Sequence, residues 1–585
     1  MRSIGRYTLR NIYNRKRKNM FEKYIEILKP KPTFNLKWYK GDDKYSEGDI
    51  ENFVLDLIAK NEPENYSKVI YENFNWSVYY HLTNVRQNIL NWYPFKEGAD
   101  VLEIGCGMGA ITGMLCEKCA SVTSIELSKR RAMATLLRCR EKENLEIIVG
   151  NLNDINFEKK YDYITLIGVL EYQGNYTDTD NPYIDFLSKI KSLLKPEGKL
   201  LIAIENKYGL KYWCGASEDH TGIPFDSINQ YDFSDGKVRT FAKKELETLV
   251  KESGFKYTYF YYPMPDYKLP TVVYSEKYLP ENENMLNVKP YYIPNNKSIV
   301  AQENKIYKDI IQNGVFEFFA NSYLVECSDI EKIGEVTFAS LSNRRPKEYQ
   351  VITRCIQNRK MEKYSINLTN GRSHISQIKK NENDLLSRGL YIWKSELVND
   401  RLVSRICTER TAEDIILEYV KEKNIEAAIK MLDELYIQIK QSSLKVNWEE
   451  NILYSFYPDL EKDENKYGDI LATGYLDMIL RNAFWIDGKY YWFDQEWNLE
   501  NVPAKYPMYR AILELYNSYN YIDNILDFED VVARYGLVEV WNELQMLDQL
   551  FMGVVADKYH FASESKLKTV SREVCINSID RLLKL

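Results

Sequence analysis

The turn at residues 105–109, Gly-Cys-Gly-Met-Gly, is the part of this sequence best suited to surround a ligand. It follows the run Val101–Ile104, which predicts a strand, and precedes Ile111–Lys118, whose pattern predicts a helix. Glycines permit a tight turn and a close approach of the backbone to a bound molecule. Because Ala110 follows, the turn also fits the dinucleotide pattern GxGxx(G/A), so the glycines alone leave the bound group open.

Two acidic side chains flank this turn and narrow the choice of ligand. Glu103 lies two residues before the first glycine, where a carboxylate can face the amine of a ligand. Glu126 ends the next predicted strand, 17 residues after Gly109, where a carboxylate can hold two ribose hydroxyls. The pair favours a ligand that carries both an amino group and a nucleoside.

A second set of polar residues lies near residue 480. Asp477 and Asn482 have the spacing D-x4-N, and Asp494 follows the strand-like run Tyr490–Phe493 twelve residues after Asn482. In phosphoryl transfer, an Asp at the first position orients a hydroxyl, while the Asn and the later Asp bind Mg²⁺ at the ATP phosphates. D-x4-N is a common spacing, so a polar hairpin without chemistry is the alternative interpretation.

The pattern of elements around these residues predicts two folded parts. Within 76–280, short β-branched runs alternate with helical stretches, which predicts a Rossmann-like, doubly wound parallel sheet of the α/β class. Residues 281–304 show no sustained period and are predicted to be a linker. The strands, single helix and later helices of 305–585 predict a two-lobed α+β domain, and 1–75 predicts a basic helical extension.

The first part resembles the class I S-adenosylmethionine-dependent methyltransferases, whose first motif is (D/E)xGxGxG. The similarity continues through YDYITLIGVLEY at 161–172 and KPEGK at 195–199, although Asn151 replaces the usual acidic residue beside adenine. The resemblance implies transfer of a methyl group from S-adenosyl-L-methionine, with donor and acceptor held in line. The cofactor-binding residues that it implies are Glu103, Gly105, Cys106, Gly107, Gly109, Glu126, Leu127, Asn151 and Leu152.

A polar loop after the predicted fifth strand carries the candidate general base. A hydroxyl acceptor would benefit from such a base, whereas a phosphate or carboxylate acceptor would need none. His220, in this loop, is the catalytic candidate that we select, and an ordinary hydrogen-bonded histidine is the alternative. The other candidates for the base are Glu171, Glu205 and Asp219.

The second part resembles kinase-like phosphotransferases of the aminoglycoside and choline kinase type, which share D-x4-N and a later Asp. The resemblance implies that Asp477 is catalytic, that Asn482 and Asp494 bind Mg²⁺, and that ATP is the donor. It also implies that Lys363 is the lysine of the third strand. Its ion-pair partner would be Glu382, on a helix predicted over residues 374–388.

The order of the two parts resembles that of bacterial bifunctional enzymes that cap the growing chains of surface polysaccharides and so terminate their elongation. In that family a kinase phosphorylates the terminal sugar and a methyltransferase methylates the phosphate, which implies a sugar or sugar-phosphate acceptor. In the alternative, the second part is an inactive glycan- or protein-binding scaffold, because no glycine-rich loop lies at 342–345 and Tyr475 replaces a frequent histidine. A nicotinamide or flavin enzyme is a third alternative, which Glu103 suits less well.

Composition and charge exclude several other classes of protein. The 585 residues carry 78 basic and 85 acidic side chains, and the net charge of −7 argues against nucleic-acid binding. No apolar run reaches the roughly 18 residues of a membrane span. Nine cysteines with a single CxxC favour a reducing cytoplasm, and the resemblance to the bifunctional enzymes implies a bacterial one. The first 20 residues contain seven basic and no acidic side chains, which allows peripheral contact with the inner membrane surface. A solvated extension is the alternative interpretation of this segment. The sequence does not predict the oligomeric state.

Overall fold

The computed structural model describes residues 24–41, 43, 47–281, 298–367, 369–463, 465–567 and 572–582. The chain divides into two compact units, one comprising Met1–Asn343 with Lys558–Leu585 and the other Arg344–Asp557. The basic segment at residues 1–20 lies outside the described residues, so its membrane contact stays a prediction. Within the described ranges, no helix is long and apolar enough to cross a membrane.

The first unit alternates strands with helices through most of its length. Its strands are Thr33–Asn35 (β1), Asp100–Ile104 (β2), Ser121–Glu126 (β3), Leu145–Val149 (β4), Tyr161–Ile167 (β5), Leu194–Glu205 (β6), Tyr257–Met264 (β7), Val272–Ser275 (β8), Ser322–Ser328 (β9) and Val336–Ser342 (β10). Its α-helices are Ile50–Lys60, Tyr66–Glu72, Trp76–Leu82, Thr112–Lys118, Lys129–Arg138, Gln173–Tyr176, Pro182–Ser192, Leu210–Trp213, Lys243–Glu252, Glu303–Gln312, Phe316–Phe319, Lys558–Glu564 and Arg572–Leu582.

These strands form one mixed sheet in the order β1-β4-β3-β2-β5-β6-β9-β7-β8-β10. The six strands β1 to β6 run parallel to one another, which confirms the predicted Rossmann-like α/β fold. The strand order reverses at β2, since β3 lies on one side of it and β5 on the other. Ligands of open α/β sheets bind at the carboxyl ends of the strands beside such a reversal, which is where the glycine turn begins.

Strand β9 extends the first unit beyond the predicted domain boundary. It lies between β6 and β7, antiparallel to both, and every one of its residues is buried. A buried strand needs hydrogen-bonding neighbours on both edges, and β6 and β7 supply them. The compact units therefore divide at Asn343 and Arg344, whereas the sequence placed a linker at 281–304 and a new domain from 305. The sequence of β9 carries no local pattern that indicates pairing with β6 and β7, because these strands are far from it in the chain.

The second unit is built from three small sheets and a set of helices. Its strands are Val351–Ile356 (β11), Lys360–Ser365 (β12), Ser395–Val398 (β13), Arg401–Arg405 (β14), Lys445–Val446 (β15), Ile470–Tyr475 (β16), Ala483–Ile486 (β17), Lys489–Trp492 (β18) and Asn498–Pro503 (β19). Its α-helices are Arg372–Ser387, Ala412–Lys421, Ile425–Gln441, Ile452–Phe456, Lys505–Ser518, Phe528–Arg534 and Trp541–Val555.

The antiparallel strands β11, β12, β14 and β13 of the second unit lie side by side in that order. The helix Arg372–Ser387 follows β12 in the chain, close to the predicted range 374–388. Asp477 comes directly after β16, and Asp494 follows β18, so the two acidic residues stand at the ends of different strands. The second unit thus contains both α-helices and antiparallel strands, as the α+β class predicted from the sequence requires.

Candidate functional site

The glycine turn after β2 has a conformation that side chains would obstruct. Gly105 has φ +79°, and a Cβ at this position would lie 2.4 Å from Cγ2 of Val169. Gly109 has φ +75°, and its Cβ would lie 3.1 Å from the backbone of Thr135. Both values of φ favour glycine, and both positions also lack room for a side chain. The glycines therefore let the turn pass between β5 and the helix Lys129–Arg138.

Glu103 is buried at the end of β2 and is held by two hydroxyl groups. The hydroxyls of Thr112 and Ser124 each donate a hydrogen bond to its Oε2 at 2.7 Å. Burial raises the pKa of Glu103 to about 7, although the two hydroxyls act in the opposite direction. The side chain is thus fixed in one orientation at the wall of the cavity described below, as expected for a group that faces a ligand.

Glu126, at the end of β3, points its carboxylate at the glycine turn. Its Oε2 accepts a hydrogen bond from the N–H of Gly107 at 2.8 Å, and its Oε1 accepts one from the N–H of Ser128 at 2.9 Å. Burial raises the pKa of this carboxyl as well. Each oxygen has a second lone pair, so the carboxylate can still accept two hydroxyl donors from a ligand.

A cavity of about 520 Å³ opens beside these residues. It is bounded by the carboxyl ends of β2 to β5 and by the segment that contains the helix Trp76–Leu82. Gly109, the remaining predicted residue of this group, packs on Thr135 and does not line the cavity. The predicted cofactor-binding residues that line it are Glu103, Gly105, Cys106, Gly107, Glu126, Leu127, Asn151 and Leu152.

Asn151 uses its side chain to shape the loop after β4. Its Oδ1 accepts a hydrogen bond from the N–H of Asn153 at 2.9 Å, and its Nδ2 donates to the carbonyl of Tyr176 at 3.2 Å. The following residue, Leu152, is buried and presents an apolar surface to the cavity. Both residues therefore line the cavity, and their contact with an adenine ring stays a prediction.

His220 lies at the cavity in a network of carboxyl groups. Its Nε2 is 3.2 Å from Oε2 of Glu205, and its Nδ1 is 3.0 Å from the hydroxyl oxygen of Tyr172. Burial lowers the pKa of the imidazole, but the charges of Glu205, Glu218 and Glu171 outweigh this effect and raise it to about 9. At neutral pH the side chain of His220 is therefore an imidazolium, whose two N–H groups face Glu205 and Tyr172 and which cannot take up a proton.

Glu171 is the second protonated group at this end of the cavity. It is almost fully buried, and its Oε2 has no hydrogen-bond partner among the described residues. Burial raises its pKa to about 8; the charge of His220 opposes the rise and that of Glu205 adds to it. At neutral pH this carboxyl group is therefore protonated and can donate a hydrogen bond to a ligand in the cavity.

Lys268 joins the network from the segment after β7. Its Nζ lies 2.5 Å from Oε1 of Glu205 and 2.7 Å from Oδ1 of Asp219; Lys268 and Glu205 are buried, and the side chain of Asp219 is 10% exposed. Lys211 approaches the other oxygen of Asp219 at 2.6 Å. The sequence had noted Glu205 and Asp219 only as candidate bases, because nothing local to residue 268 indicates that it would meet them.

Glu171, Glu205 and His220 also bring one potential ligand atom each to within 4.8 Å of one another. Two carboxylates and an imidazole can hold a divalent cation. In this protein the ammonium group of Lys268 already neutralises Glu205. We therefore assign no metal to these residues.

The second unit brings together the lysine and the later Asp that the sequence selected. The Nζ of Lys363, on β12, forms hydrogen bonds with the carboxylates of Asp494 and Glu496. The predicted ion pair between Lys363 and Glu382 is not formed. Glu382 instead accepts hydrogen bonds from Lys379 and from the hydroxyl of Ser395, because its turn of the helix faces β13.

Asp477 and Asn482 lie in the same region of the second unit. Oδ2 of Asp477 accepts hydrogen bonds from the N–H groups of Glu496 and Trp497 at 2.8 and 2.9 Å. Burial and the charge of Glu496 raise the pKa of Asp477 to about 7. Nδ2 of Asn482 donates to the carbonyl of Asp477 at 3.3 Å, while Asp494 adopts φ +55°. The Asp, Asn and Asp of the motif are thus neighbours in space.

Comparison with known proteins identifies the part of the chain that contains the first of these sites. Residues 79–259 match the family model described as a methyltransferase domain. This segment is a class I methyltransferase domain. The match lies within the first compact unit and contains the glycine turn, Glu126 and His220.

The methyltransferase domain is similar in sequence to enzymes that methylate oxygen. Malonyl-[acyl-carrier protein] O-methyltransferase of Priestia megaterium is 30% identical over 119 residues, which cover 20% of this chain and 40% of that protein. The ubiquinone biosynthesis O-methyltransferase of Rickettsia bellii is 21% identical over 191 residues, covering 31% and 76%. The chain thus spans about two fifths of the length of the first curated relatives it matches.

Solved structures of methyltransferases also match part of the chain. Phosphoethanolamine N-methyltransferase 2 of Haemonchus contortus, in complex with S-adenosyl-L-methionine, is 19% identical and covers 42% of this chain and 53% of its own, with a TM-score of 0.26. A SAM-dependent methyltransferase of Aquifex aeolicus is 18% identical and covers 34% and 89%, with a TM-score of 0.23.

One wall of the methyltransferase cavity is formed by residues that the sequence analysis did not select. Trp76, Tyr80, His81 and Arg86 line the cavity from the helix Trp76–Leu82 and the turn after it. The sequence shows an aromatic-rich stretch here, which indicates burial. It carries no motif that indicates contact with a ligand.

Proposed function

We propose that the first unit is an S-adenosylmethionine-dependent methyltransferase that acts on an oxygen atom of a small molecule. The observation that carries the proposal is the convergence of the glycine turn, Glu103 and Glu126 on one cavity of about 520 Å³. In this proposal Glu126 holds the ribose hydroxyls, and Leu152 lies against adenine. The backbone of residues 105–107 lies beside the methionine part.

The residues around His220 favour an acceptor that already carries negative charge on oxygen. An oxygen of the acceptor would form a bond to the methyl carbon of S-adenosyl-L-methionine while the bond from that carbon to the sulfonium breaks, and S-adenosylhomocysteine would leave. Because His220 and Glu171 are protonated at neutral pH, neither is ready to remove a proton from a neutral hydroxyl. The carboxyl group of Glu171, which lines the cavity, can instead donate a hydrogen bond to a phosphate or carboxylate, and the imidazolium of His220, whose N–H groups face Glu205 and Tyr172, adds a positive charge. We therefore propose a sugar phosphate of a bacterial surface glycan as the acceptor.

Calorimetric titration of the full chain with S-adenosylhomocysteine tests the proposed cofactor. We expect saturable binding of one molecule per chain, and no binding of NADH or FAD at the same concentrations. Transfer of a labelled methyl group to a sugar 1-phosphate, and not to the neutral sugar, tests the acceptor. A folded protein that binds NADH but not S-adenosylhomocysteine would support the dinucleotide alternative and overturn the proposal.

We propose a second activity for the second unit, ATP-dependent phosphoryl transfer. The supporting observation is the grouping of Lys363, Asp494, Asp477 and Asn482 in one region. Asn482 and Asp494 would hold Mg²⁺, and Lys363 would meet the phosphates. In the competing proposal the unit is an inactive scaffold that binds a glycan or protein. Both proposals place the protein in a bacterial cytoplasm.

Saturating MgATP is expected to raise the midpoint of thermal unfolding of the second unit in the full chain. A ligand at 100 times its dissociation constant adds about 2.7 kcal/mol. At roughly 2–4 °C per kcal/mol for a domain of this size, the expected rise is about 5–11 °C. The shift should vanish in Asp494→Ala and persist in Asp459→Ala, which removes an exposed aspartate of the same unit. An unchanged midpoint in folded wild-type protein would favour the scaffold.

A further inference from the structure

Tyr267 places its hydroxyl group at the carboxyl end of β5, beside the methyltransferase cavity. The residue lies on the segment after β7, lines the cavity and is only 3% exposed. A Cβ at Gly168, which directly follows β5 and also lines the cavity, would lie 2.7 Å from the hydroxyl oxygen of Tyr267. Gly168 has φ +69°, which favours glycine, and the side chain that it lacks leaves room for this hydroxyl group.

The backbone and ring of Tyr267 are held by neighbouring residues, whereas its hydroxyl group is not. The N–H of Tyr267 donates a hydrogen bond to the hydroxyl of Ser322, on β9, at 2.8 Å. The ammonium group of Lys268 lies 5.7 Å from the centre of the ring. Within the described part of the chain, the hydroxyl group of Tyr267 has no hydrogen-bond partner and is open to the cavity.

Other buried tyrosines of the same unit show how such a hydroxyl group is normally satisfied. The hydroxyl of Tyr212 donates a hydrogen bond to Asp219 at 2.6 Å, and that of Tyr259 donates one to Ser275 at 2.9 Å. A buried tyrosine usually finds a partner of this kind for its O–H group. A ligand in the cavity would supply the partner for Tyr267.

Glu171 brings a second hydrogen-bond donor to the same strand end. Its Oε1 would lie 3.6 Å from the Cβ at Gly168, on the side of the turn where the hydroxyl of Tyr267 lies 2.7 Å away. Burial and the charge of Glu205 hold the pKa of Tyr267 well above its usual value, so the hydroxyl group is protonated at neutral pH. Two neighbouring donors suit an oxyanion, because each of its oxygens accepts hydrogen bonds.

The end of β5 lies next to the glycine turn, because β5 pairs with β2. We propose that the hydroxyl group of Tyr267 and the carboxyl group of Glu171 together bind the phosphate of the acceptor, and that Tyr267 thereby selects acceptors with a charged oxygen. The inference rests on the proposed methyltransferase function and adds to it a residue that recognises the acceptor.

Tyr267→Phe removes only the hydroxyl group and tests this inference. Calorimetric titration measures the binding of inorganic phosphate to the full chain saturated with S-adenosylhomocysteine. We expect the variant to bind phosphate about 10- to 100-fold more weakly than wild type, because a hydrogen bond to a charged group is lost. In methyl transfer to a sugar 1-phosphate, KM should rise by a similar factor.

The variant should keep its affinity for S-adenosylhomocysteine within twofold of wild type. Its thermal midpoint should not fall, because the hydroxyl group forms no hydrogen bond within the described part of the chain. Tyr259→Phe is the matched control, since it removes a buried hydroxyl that bonds to Ser275 and lies outside the cavity. It should lower the thermal midpoint and leave phosphate binding unchanged.

A phosphate affinity of folded Tyr267→Phe within twofold of wild type would overturn the inference. A wild-type complex with S-adenosylhomocysteine that binds no phosphate would do so as well. A loss of affinity for S-adenosylhomocysteine alone would also overturn it, because the hydroxyl group would then serve the cofactor. Failure of wild-type protein to bind S-adenosylhomocysteine would instead overturn the methyltransferase proposal, and phosphate titration of the free protein would still test Tyr267.

Discussion

Replacement of Lys268 by methionine is expected to lower the free energy of unfolding by about 3–5 kcal/mol. The change would leave the carboxylates of Glu205 and Asp219 buried without the ammonium that lies 2.5 and 2.7 Å from them. Removal of one partner from a buried ion pair is costly because the other charge stays out of water. Chemical denaturation of the full chain, followed by circular dichroism, measures the difference.

Lys60→Met is the matched control for Lys268→Met. Lys60 also lies 2.5 Å from a carboxylate, that of Asp56, but more than half of its side chain is exposed. An exposed pair of this kind contributes little, so a change of less than about 1 kcal/mol is expected. Equal effects of the two substitutions would show that the Lys268 network does not stabilise the unit.

The effect of Lys268→Met should also depend on pH. Burial raises the pKa of Glu205, but Lys268 and His220 outweigh it and hold this pKa below its usual range. A depressed carboxyl pKa contributes stability that is present above the unfolded value of about 4.3, and this stability is lost as the pH falls through the folded value. The deficit of Lys268→Met is therefore expected to be largest at neutral pH and to shrink in acid.

Glu126→Ala is expected to weaken the binding of S-adenosylhomocysteine about 100- to 10,000-fold. A hydrogen bond to a charged group contributes about 1.5–3 kcal/mol, and the proposed site loses two such bonds to ribose. The substitution also frees the N–H of Gly107, which the carboxylate holds at 2.8 Å in this structure. Calorimetry on the full chain measures the affinity, and circular dichroism verifies the fold.

Two variants define what the Glu126 result means. Glu126→Gln keeps the shape and one carbonyl acceptor, and should lose less affinity than the alanine variant. Glu146→Ala changes an acidic residue on the neighbouring β4 that lies outside the cavity and accepts a hydrogen bond from Asn35. It should bind S-adenosylhomocysteine as wild type does. An affinity for Glu126→Ala within threefold of wild type would contradict the assigned ribose site.

The sequence by itself determined the cofactor side of the methyltransferase cavity. The turn at 105–109 and the carboxylates of Glu103 and Glu126 are tied to predicted strands by short spacings. A strand, a tight turn and a helix form from neighbouring residues, and parallel strands place their carboxyl ends at one edge. Eight of the nine predicted cofactor-binding residues line the cavity for this reason.

Only the tertiary structure decided which distant residues complete the two sites. Lys268 meets Glu205, and Lys363 meets Glu496 rather than Glu382. Arg86 reaches the cavity from a stretch whose pattern indicates only packing. The partners of these charges lie tens to more than a hundred residues away in the chain. Burial makes an ionic partner necessary, but the packing of whole strands and helices determines which one comes within reach.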